Sequence, residues 1–536
     1  MSIPSTNLMW ISALLPIIVL LVLMIKLNWS ASKAAAIGIA ITAFTGIVIF
    51  KADLKLLLLE SGKGIWSAVI IILVIWTAIL LYQTSVESGA FLVIREGMYR
   101  LFPNEMLRIL AMGWIFESFL QGITGFGVPV AIGTPLLIGI GVKPLWAIII
   151  SLLGQSWGNT FGTLAAAWDA LAVSTGLKVG SPVYLRTAIW VSVFILIWNA
   201  VIGFVICWFY GKKKAIKKMF PVIISMVIIQ GGGELVMSQI NTTLACFVPS
   251  CISFFIILLF SKTKLYRDEW TMEDSKIMEK NAEDSLRKES IVNMTLMQAF
   301  VPYFILAGIT LIILIVKPIH DFLGQFSFGI AFPETRTGYG YINSAMESFS
   351  PFTPFTHASM FLFISSVSGI VYYCRHGWIK RKNVKDIFAR STAMMIPSGL
   401  AILGLIIMSR IMSGTGQTLV LANGIAGTMK RGYGILAPLI GLFGTFMTGS
   451  NMSSNILFGN FQLVTAQLLK IDVAIILGAQ SAGGSIGSVL SPSNIVLGTT
   501  TAGISGYEGK IIRKLLGITI PVAIIIGIVL LVVVYL

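Results

Sequence analysis

Charged side chains are scarce in this chain. Asp, Glu, Lys and Arg make up 11% of 536 residues, whereas 56% are hydrophobic and the mean hydropathy is +0.90. A soluble domain carries about 25% charge, so water is not the solvent for most of this protein. Cysteine is almost as rare: Cys207, Cys246, Cys251 and Cys374 lie in or beside apolar runs without a paired pattern, which argues against disulfides. Three histidines, His320, His357 and His376, are too scattered for a metal cluster. No H-E-x-x-H or P-loop is present, so a membrane-embedded enzyme has no metal or nucleotide motif to support it and no cofactor is expected.

What remains is long apolar sequence. Its runs approach the roughly 20 residues that cross a bilayer as helix, which makes the chain an all-α polytopic membrane protein of about 12–14 transmembrane helices. The segment 8–25 lacks a basic leader and a small-residue cleavage site, so it is expected to be the first span. The net charge of +16 does not indicate nucleic acid. Its lysines and arginines gather in "GKKKAIKK" (211–218) and "CRHGWIKRKNVKDIFAR" (374–390), short segments after apolar spans. That is the bias of cytoplasmic loops.

Counting from those two anchors gives a first transmembrane half over 1–260, a charged cytoplasmic linker over 261–293 and a second half over 294–536. The first half begins outside and the second inside, the arrangement of an inverted repeat. The linker mixes both charge signs and should be solvated. The segment 320–352 is expected as an outer loop holding Glu334 and Arg336, with Glu234 near the outer end of a span as an interfacial carboxylate or, as the alternative, lining the exit path.

Three stretches interrupt the apolar background. The first, "ESFLQGITGFGVPVAIGTP" (117–135), concentrates glycine and proline. "GLFGTFMTGSNMSSNILFGNFQ" (441–462) and "GAQSAGGSIGSVLSPSNIVLGTTTAG" (478–503) break the second half with Ser, Thr, Asn and Gly. Close helix packing would explain one isolated S-x-x-x-G. Three dense clusters fit broken helices or re-entrant hairpins that line a cavity, since irregular backbone is tolerated at membrane depth only there or within protein. Freed amides attract anions, and hydroxyls with freed carbonyls ligate small cations.

"ESFLQGITGFGVPVAI", "GTFMTGSNMSSNILF" and "GGSIGSVLSPSNI" resemble signature segments of the L-lactate permease family, carriers of L-lactate and glycolate regarded as proton symporters. The resemblance marks Gly122, Gly125, Phe126, Gly127, Pro129 and Val130 in the first break, and Thr448, Gly449, Ser450, Ser453, Ser454 and Asn455 in the second. In the third it marks Gly483, Gly484, Gly487, Ser491 and Pro492. The chain departs from the family pattern at three places: Gln121 and Asn451 stand where an acid is expected, and Ser488 where a lysine is.

A group that changes charge is needed to couple protons, and Glu117 and Asp169 are the acids available nearby. Glu117 lies one helical turn before Gln121 on the same face. Arg410, late in an apolar span, is a candidate clamp for a carboxylate, a snorkelling arginine, or the partner of Glu117 or Asp169. The expected function is secondary transport of a small monocarboxylate across the cell membrane by proton symport. Sodium coupling through Asn451 and Asn494, or passive exchange or channel conduction, are the alternatives. Partners are then the carboxylate anion, H⁺ or Na⁺, the lipid bilayer and, if the carrier self-associates, further copies in a homo-oligomer.

Overall fold

Backbone polar groups in lipid must be satisfied within their own segment, so long apolar runs become helices. The computed structural model describes residues 6–25, 27, 29–125, 127–272, 274–279, 293–429 and 432–535. Phe126 and residues 280–292 of the expected linker lie outside the described residues. Among the described residues, ten helices are long and apolar enough to cross a membrane. An eleventh is a pair, Val301–Ile315 and Lys317–Gly324, bent by 84°.

The sequence leads one to expect more crossings, and the difference lies in how spans are built. The 59-residue stretch Pro182–Ile240 turns back on itself at Gly211 and Lys212, where the backbone leaves helical geometry. Ser192 Oγ meets Ser238 Oγ at 3.4 Å and Gln239 Nε2 donates to the Leu185 carbonyl at 3.2 Å, so two antiparallel helices result. Other crossings are assembled from pieces too short to span alone, such as Val128–Gly139 and Tyr433–Thr448.

Those pieces repeat in order. A long helix, Leu54–Glu87, is followed by the short Ala90–Leu101, then by hairpin 1 (Glu105–Ile123 and Val128–Gly139) and broken helix 1 (Pro144–Ser156 and Gly162–Thr175). In the second half the long helix is Val384–Gly414 and the short one Gln417–Met429. Hairpin 2 (Tyr433–Thr448 and Asn451–Leu469) and broken helix 2 (Val473–Gly487 and Pro492–Thr501) follow. The two long helices pack against each other antiparallel. Trp76 Nε1 donates to Thr392 Oγ1 at 3.1 Å, Arg390 binds the Glu87 carboxylate, and Gly414 lies against Glu60. Equivalent elements running in opposite directions make the repeat inverted.

The outer loop departs from the all-helical pattern. Strand Phe328–Phe332 pairs antiparallel with Met346–Phe352, and Thr335–Arg336 with Ile342–Asn343. This cap rests on the outer ends of the long helices: Trp66 Nε1 donates to the Ser350 carbonyl and Asn343 Nδ2 to the Gly414 carbonyl. Glu334 and Arg336 form an exposed pair on it at 3.4 Å.

The described part of the 261–279 segment is not free in solvent. Tyr266 and Ile277 are buried. Lys143 N donates to the Ile277 carbonyl at 2.8 Å, Glu279 N to the Gly141 carbonyl at 2.8 Å and Glu105 N to the Trp270 carbonyl at 3.2 Å. The segment thus straps the ends of hairpin 1, because the backbone groups left over at those ends find partners in it.

Candidate functional site

Three of the four breaks are built by residues that stop a helix locally. In hairpin 1, Thr124 Oγ1 bonds back to the Leu120 carbonyl at 2.9 Å, and Gly125 then takes φ +57°. Hairpin 2 repeats this: Thr448 Oγ1 bonds to the Gly444 carbonyl at 2.7 Å and Gly449 takes φ +82°. A left-handed residue after the last helical turn suits glycine, which has no Cβ to clash. Broken helix 2 restarts at Pro492 with Ser491 as its cap.

At the bend of broken helix 1 the left-handed positions are not glycines. Thr163, Leu164 and Ala165 all have positive φ, at 49°, 51° and 71°. Each costs about 1–3 kcal/mol, so the surrounding structure imposes the bend.

The four breaks converge on one neutral polar core. Gln121 Nε2 donates to Asn159 Oδ1 at 3.2 Å, and Asn159 Nδ2 donates to Ser488 Oγ at 2.8 Å. Asn451 Nδ2 donates to Thr160 Oγ1 at 3.0 Å and to Ser485 Oγ at 3.2 Å. Thr160 Oγ1 also lies 3.0 Å from Ser481 Oγ and 2.9 Å from Ser485 Oγ. Asn455 Nδ2 bonds Ser481 Oγ at 2.9 Å and the Ala167 carbonyl at 3.0 Å. Gly484 is small where Asn451 Oδ1 approaches, since a Cβ there would overlap it.

Other candidates surround this core without joining it. Ser453 is buried, and Ser454 ties hairpin 2 together by donating to the Gly441 carbonyl at 3.0 Å. Ser450 opens the second arm of hairpin 2 and is half-buried. Ser491 Oγ donates to the Gly449 carbonyl at 3.0 Å. Asn494, half-buried, brings its Oδ1 beside Gly127, linking hairpin 1 to broken helix 2.

Glu117 and Gln121 do share a face, and it is the face against broken helix 1. Glu117 accepts from Ser151 Oγ while its second oxygen has no partner among the described residues. Gly133 makes room for that carboxyl. Asp169 lies past the bend of broken helix 1 and makes no side-chain hydrogen bond or ion pair among the described residues. Arg410 pairs with neither acid. Its Nη2 donates to the Val173 carbonyl at 2.8 Å and its guanidinium lies 4.7 Å from the Phe349 ring centre. The cavity beside it, between Ser174, Ser409 and Ile456, measures about 10 Å³, room for about one water. A larger cleft of about 460 Å³ lies at the other end of the long helices, by Glu87 and Arg390, away from the core.

Sequence reading missed Asn159, Thr160, Ser481 and Ser485. Their signal is an internal repeat: "GQSWGNTFG" (154–162) and "AQSAGGSIG" (479–487) place Gln, Ser, Gly, Thr or Ser, and Gly at matching positions. It also missed a buried ion pair, Lys63 Nζ to Glu60 Oε1 at 2.6 Å, near the outer end of the first long helix.

Inverted halves whose broken helices meet at a buried polar core define the membrane-transporter class of architecture. The family model for L-lactate permease matches residues 9–536, and the chain belongs to that family. It is 24% identical to an L-lactate permease of Halalkalibacterium halodurans, over 94% of this chain and 93% of that one. It is 25% identical to glycolate permease GlcA of Escherichia coli, over 96% and 94% of the two chains. An L-lactate permease of the same organism is 25% identical over 95% and 93%. Among solved structures, the Alcanivorax borkumensis YdaH transporter is similar at a TM-score of 0.44 and 13% identity, covering 88% of this chain and 86% of that one.

Proposed function

We propose that this permease carries small monocarboxylates, lactate or glycolate, across the cell membrane by proton-coupled symport. The observation that supports this reading is the contact between interrupted helices of opposite repeats, Thr160 with Asn451 and Asn159 with Ser488. A 2-hydroxy acid presents one carboxylate and one hydroxyl. Amide and hydroxyl donors and acceptors for both come from Asn451 and Asn455 in the core around Gly484 and from Ser453, Ser454 and Ser491 beside it.

Negative charge is met by backbone. The helices starting at Val128, Asn451 and Pro492 all begin at breaks, and helix N-termini favour anions. The tip residues Gly125, Gly127 and Ser450 supply the freed amides, and Arg410 adds a cation at the edge. Glu117 and Asp169 carry the coupled proton, with neutral Gln121 close to the path.

The test is uptake of labelled lactate into proteoliposomes under an imposed inward proton gradient. Accumulation above equilibrium, competed by glycolate, is expected. Uptake that never exceeds equilibrium would indicate a passive exchanger or channel.

A sodium-coupled reading has one observation in its favour. Asn451 Oδ1, Asn455 Oδ1 and Thr445 Oγ1 are buried oxygens without a hydrogen-bond partner among the described residues. Oxygen ligands without titration suit a hard cation, and Asn494 lies at the rim of the same breaks. Replacing the proton gradient by a sodium gradient separates the two.

A further inference from the structure

Glu234 is fully buried, and neither carboxyl oxygen has a hydrogen-bond partner among the described residues. The sequence suggests an interfacial carboxylate there. The helix instead continues to Ile240 and packs against both Pro182–Tyr210 and Phe247–Ser261, which removes the side chain from water. Glu234 is the second residue after a π-helical turn, Ile228–Gly232, and Glu117 is the first after the π-helical turn Ala111–Phe116. Such turns re-aim side chains and are frequent at functional sites.

Among the described residues no cation pairs with it. On the neighbouring helix Arg186 is paired with Asp472 at 3.3 Å, Lys212–Lys218 lie at the far end of the hairpin, and Phe247–Ser261 has no charged residue. Cys246 lies within electrostatic reach of it, and Tyr184 on the neighbouring helix has its hydroxyl held by Thr242 at 2.8 Å. Gln230, one turn earlier, bonds Ser253 at 3.2 Å, and Ser192 bonds Ser238. An ionised carboxylate in this setting is far costlier than the neutral acid.

We propose that Glu234 is a second proton-binding site of the carrier, on the outer side of the polar core, with Glu117 on the cytoplasmic side. The assignment rests on the proton-coupled reading. Glu234 lies toward the Ile240 end of its helix, away from Lys212–Lys218, whereas Glu117 lies between Arg108 and the tip of hairpin 1. Cys246, within electrostatic reach of Glu234, borders the core. Its Sγ would be 2.6 Å from a Cβ at Gly158 and 3.7 Å from one at Gly122, and these glycines flank Asn159 and Gln121. A change of charge at Glu234 therefore acts on the element wedged against hairpin 1 and broken helix 1.

The experiment compares wild type with Glu234→Gln in proteoliposomes, measuring proton-driven lactate accumulation and lactate–lactate counterflow. The glutamine fills the same space without titrating. Accumulation should fall to the equilibrium level while counterflow persists. Proton-driven accumulation that is intact in Glu234→Gln overturns the assignment and leaves the proton reading standing. Wild-type uptake that ignores protons and follows sodium overturns both. Should the variant fail to fold, the wild type decides by labelling with dicyclohexylcarbodiimide, an apolar reagent for protonated buried carboxyls. Modification at Glu234, lost as the outer pH rises, supports the site, and an unmodified Glu234 at mildly acidic pH overturns it.

Discussion

Asn451 donates its amide to the Thr160 hydroxyl across 291 residues of sequence, at 3.0 Å. Thr160 belongs to the bend of broken helix 1 and Asn451 to the tip of hairpin 2. One hydroxyl therefore joins the two inverted repeats. Ser481 and Ser485 reach the same oxygen, so the contact is shared by three side chains of the second half.

Removing that hydroxyl should damage transport more than folding of either half. In Thr160→Val, three buried partners lose a hydrogen bond, at about 1–3 kcal/mol for each group left unsatisfied. Uptake should fall at least about tenfold, which corresponds to roughly 1.4 kcal/mol. Thr160→Ser keeps the oxygen and should retain most activity. Initial uptake rates in vesicles, normalised to inserted protein, check both.

Gly125→Ala should be the more harmful of two glycine replacements. At Gly125 the backbone has φ +57° and a Cβ would overlap Thr163 Oγ1. At Gly176 φ is +71°, but nothing lies within 4 Å of a Cβ. Gly176→Ala thus incurs backbone strain alone, about 1–2 kcal/mol, whereas Gly125→Ala adds displacement of broken helix 1. Thermal unfolding in detergent should rank the two, with uptake lost only in Gly125→Ala.

The sequence displayed three of the four breaks, because glycine, proline and serine stand out against leucine and isoleucine. The fourth was hidden. Thr163, Leu164 and Ala165 carry no local signal for left-handed backbone, and tertiary contact imposes it. Only the matching "GQSWGNTFG" and "AQSAGGSIG" segments point there. Glu60 and Lys63 escaped notice for another reason: the helix begins at Leu54, well before its purely apolar stretch at residues 68–76. The inverted arrangement was legible from basic clusters, and Trp76 with Thr392 shows its consequence in space.

Glu117→Gln should separate coupling from binding. Ser151 can still donate to the amide oxygen, and Gly133 still gives the side chain room. What is lost is a group able to gain and release a proton. Uphill lactate accumulation under a proton gradient should disappear while counterflow continues. Unchanged accumulation would remove Glu117 from the mechanism.

Arg410→Lys probes the cation at the edge of the site. The guanidinium stacks over Phe349 while donating to the Val173 carbonyl, a fork that a lysine ammonium cannot reproduce. If the side chain also meets the substrate carboxylate, KM for lactate should rise about tenfold or more, with a smaller change in maximal rate. A fall in maximal rate at constant KM would assign Arg410 to holding the outer cap and broken helix 1 together.

The strap formed by 261–279 makes a claim on stability. A solvated linker is indifferent to the character of one side chain, so Ile277→Val and Ile277→Asp would behave alike. Here Ile277 is 0% exposed, its carbonyl accepts from Lys143 N at 2.8 Å, and Met278 bridges to Val142. Ile277→Val removes one methylene and should cost about 0.5–1.5 kcal/mol. Ile277→Asp places an unpaired carboxylate in the same pocket and should cost several kcal/mol, about 3 or more, or drive the strap off hairpin 1. Thermal unfolding distinguishes the variants. Protease cleavage within 261–279 tests the second route, since a released strap becomes accessible while the transmembrane helices stay protected. Equal melting temperatures and equal cleavage in the two variants would show that the strap does not hold the ends of hairpin 1.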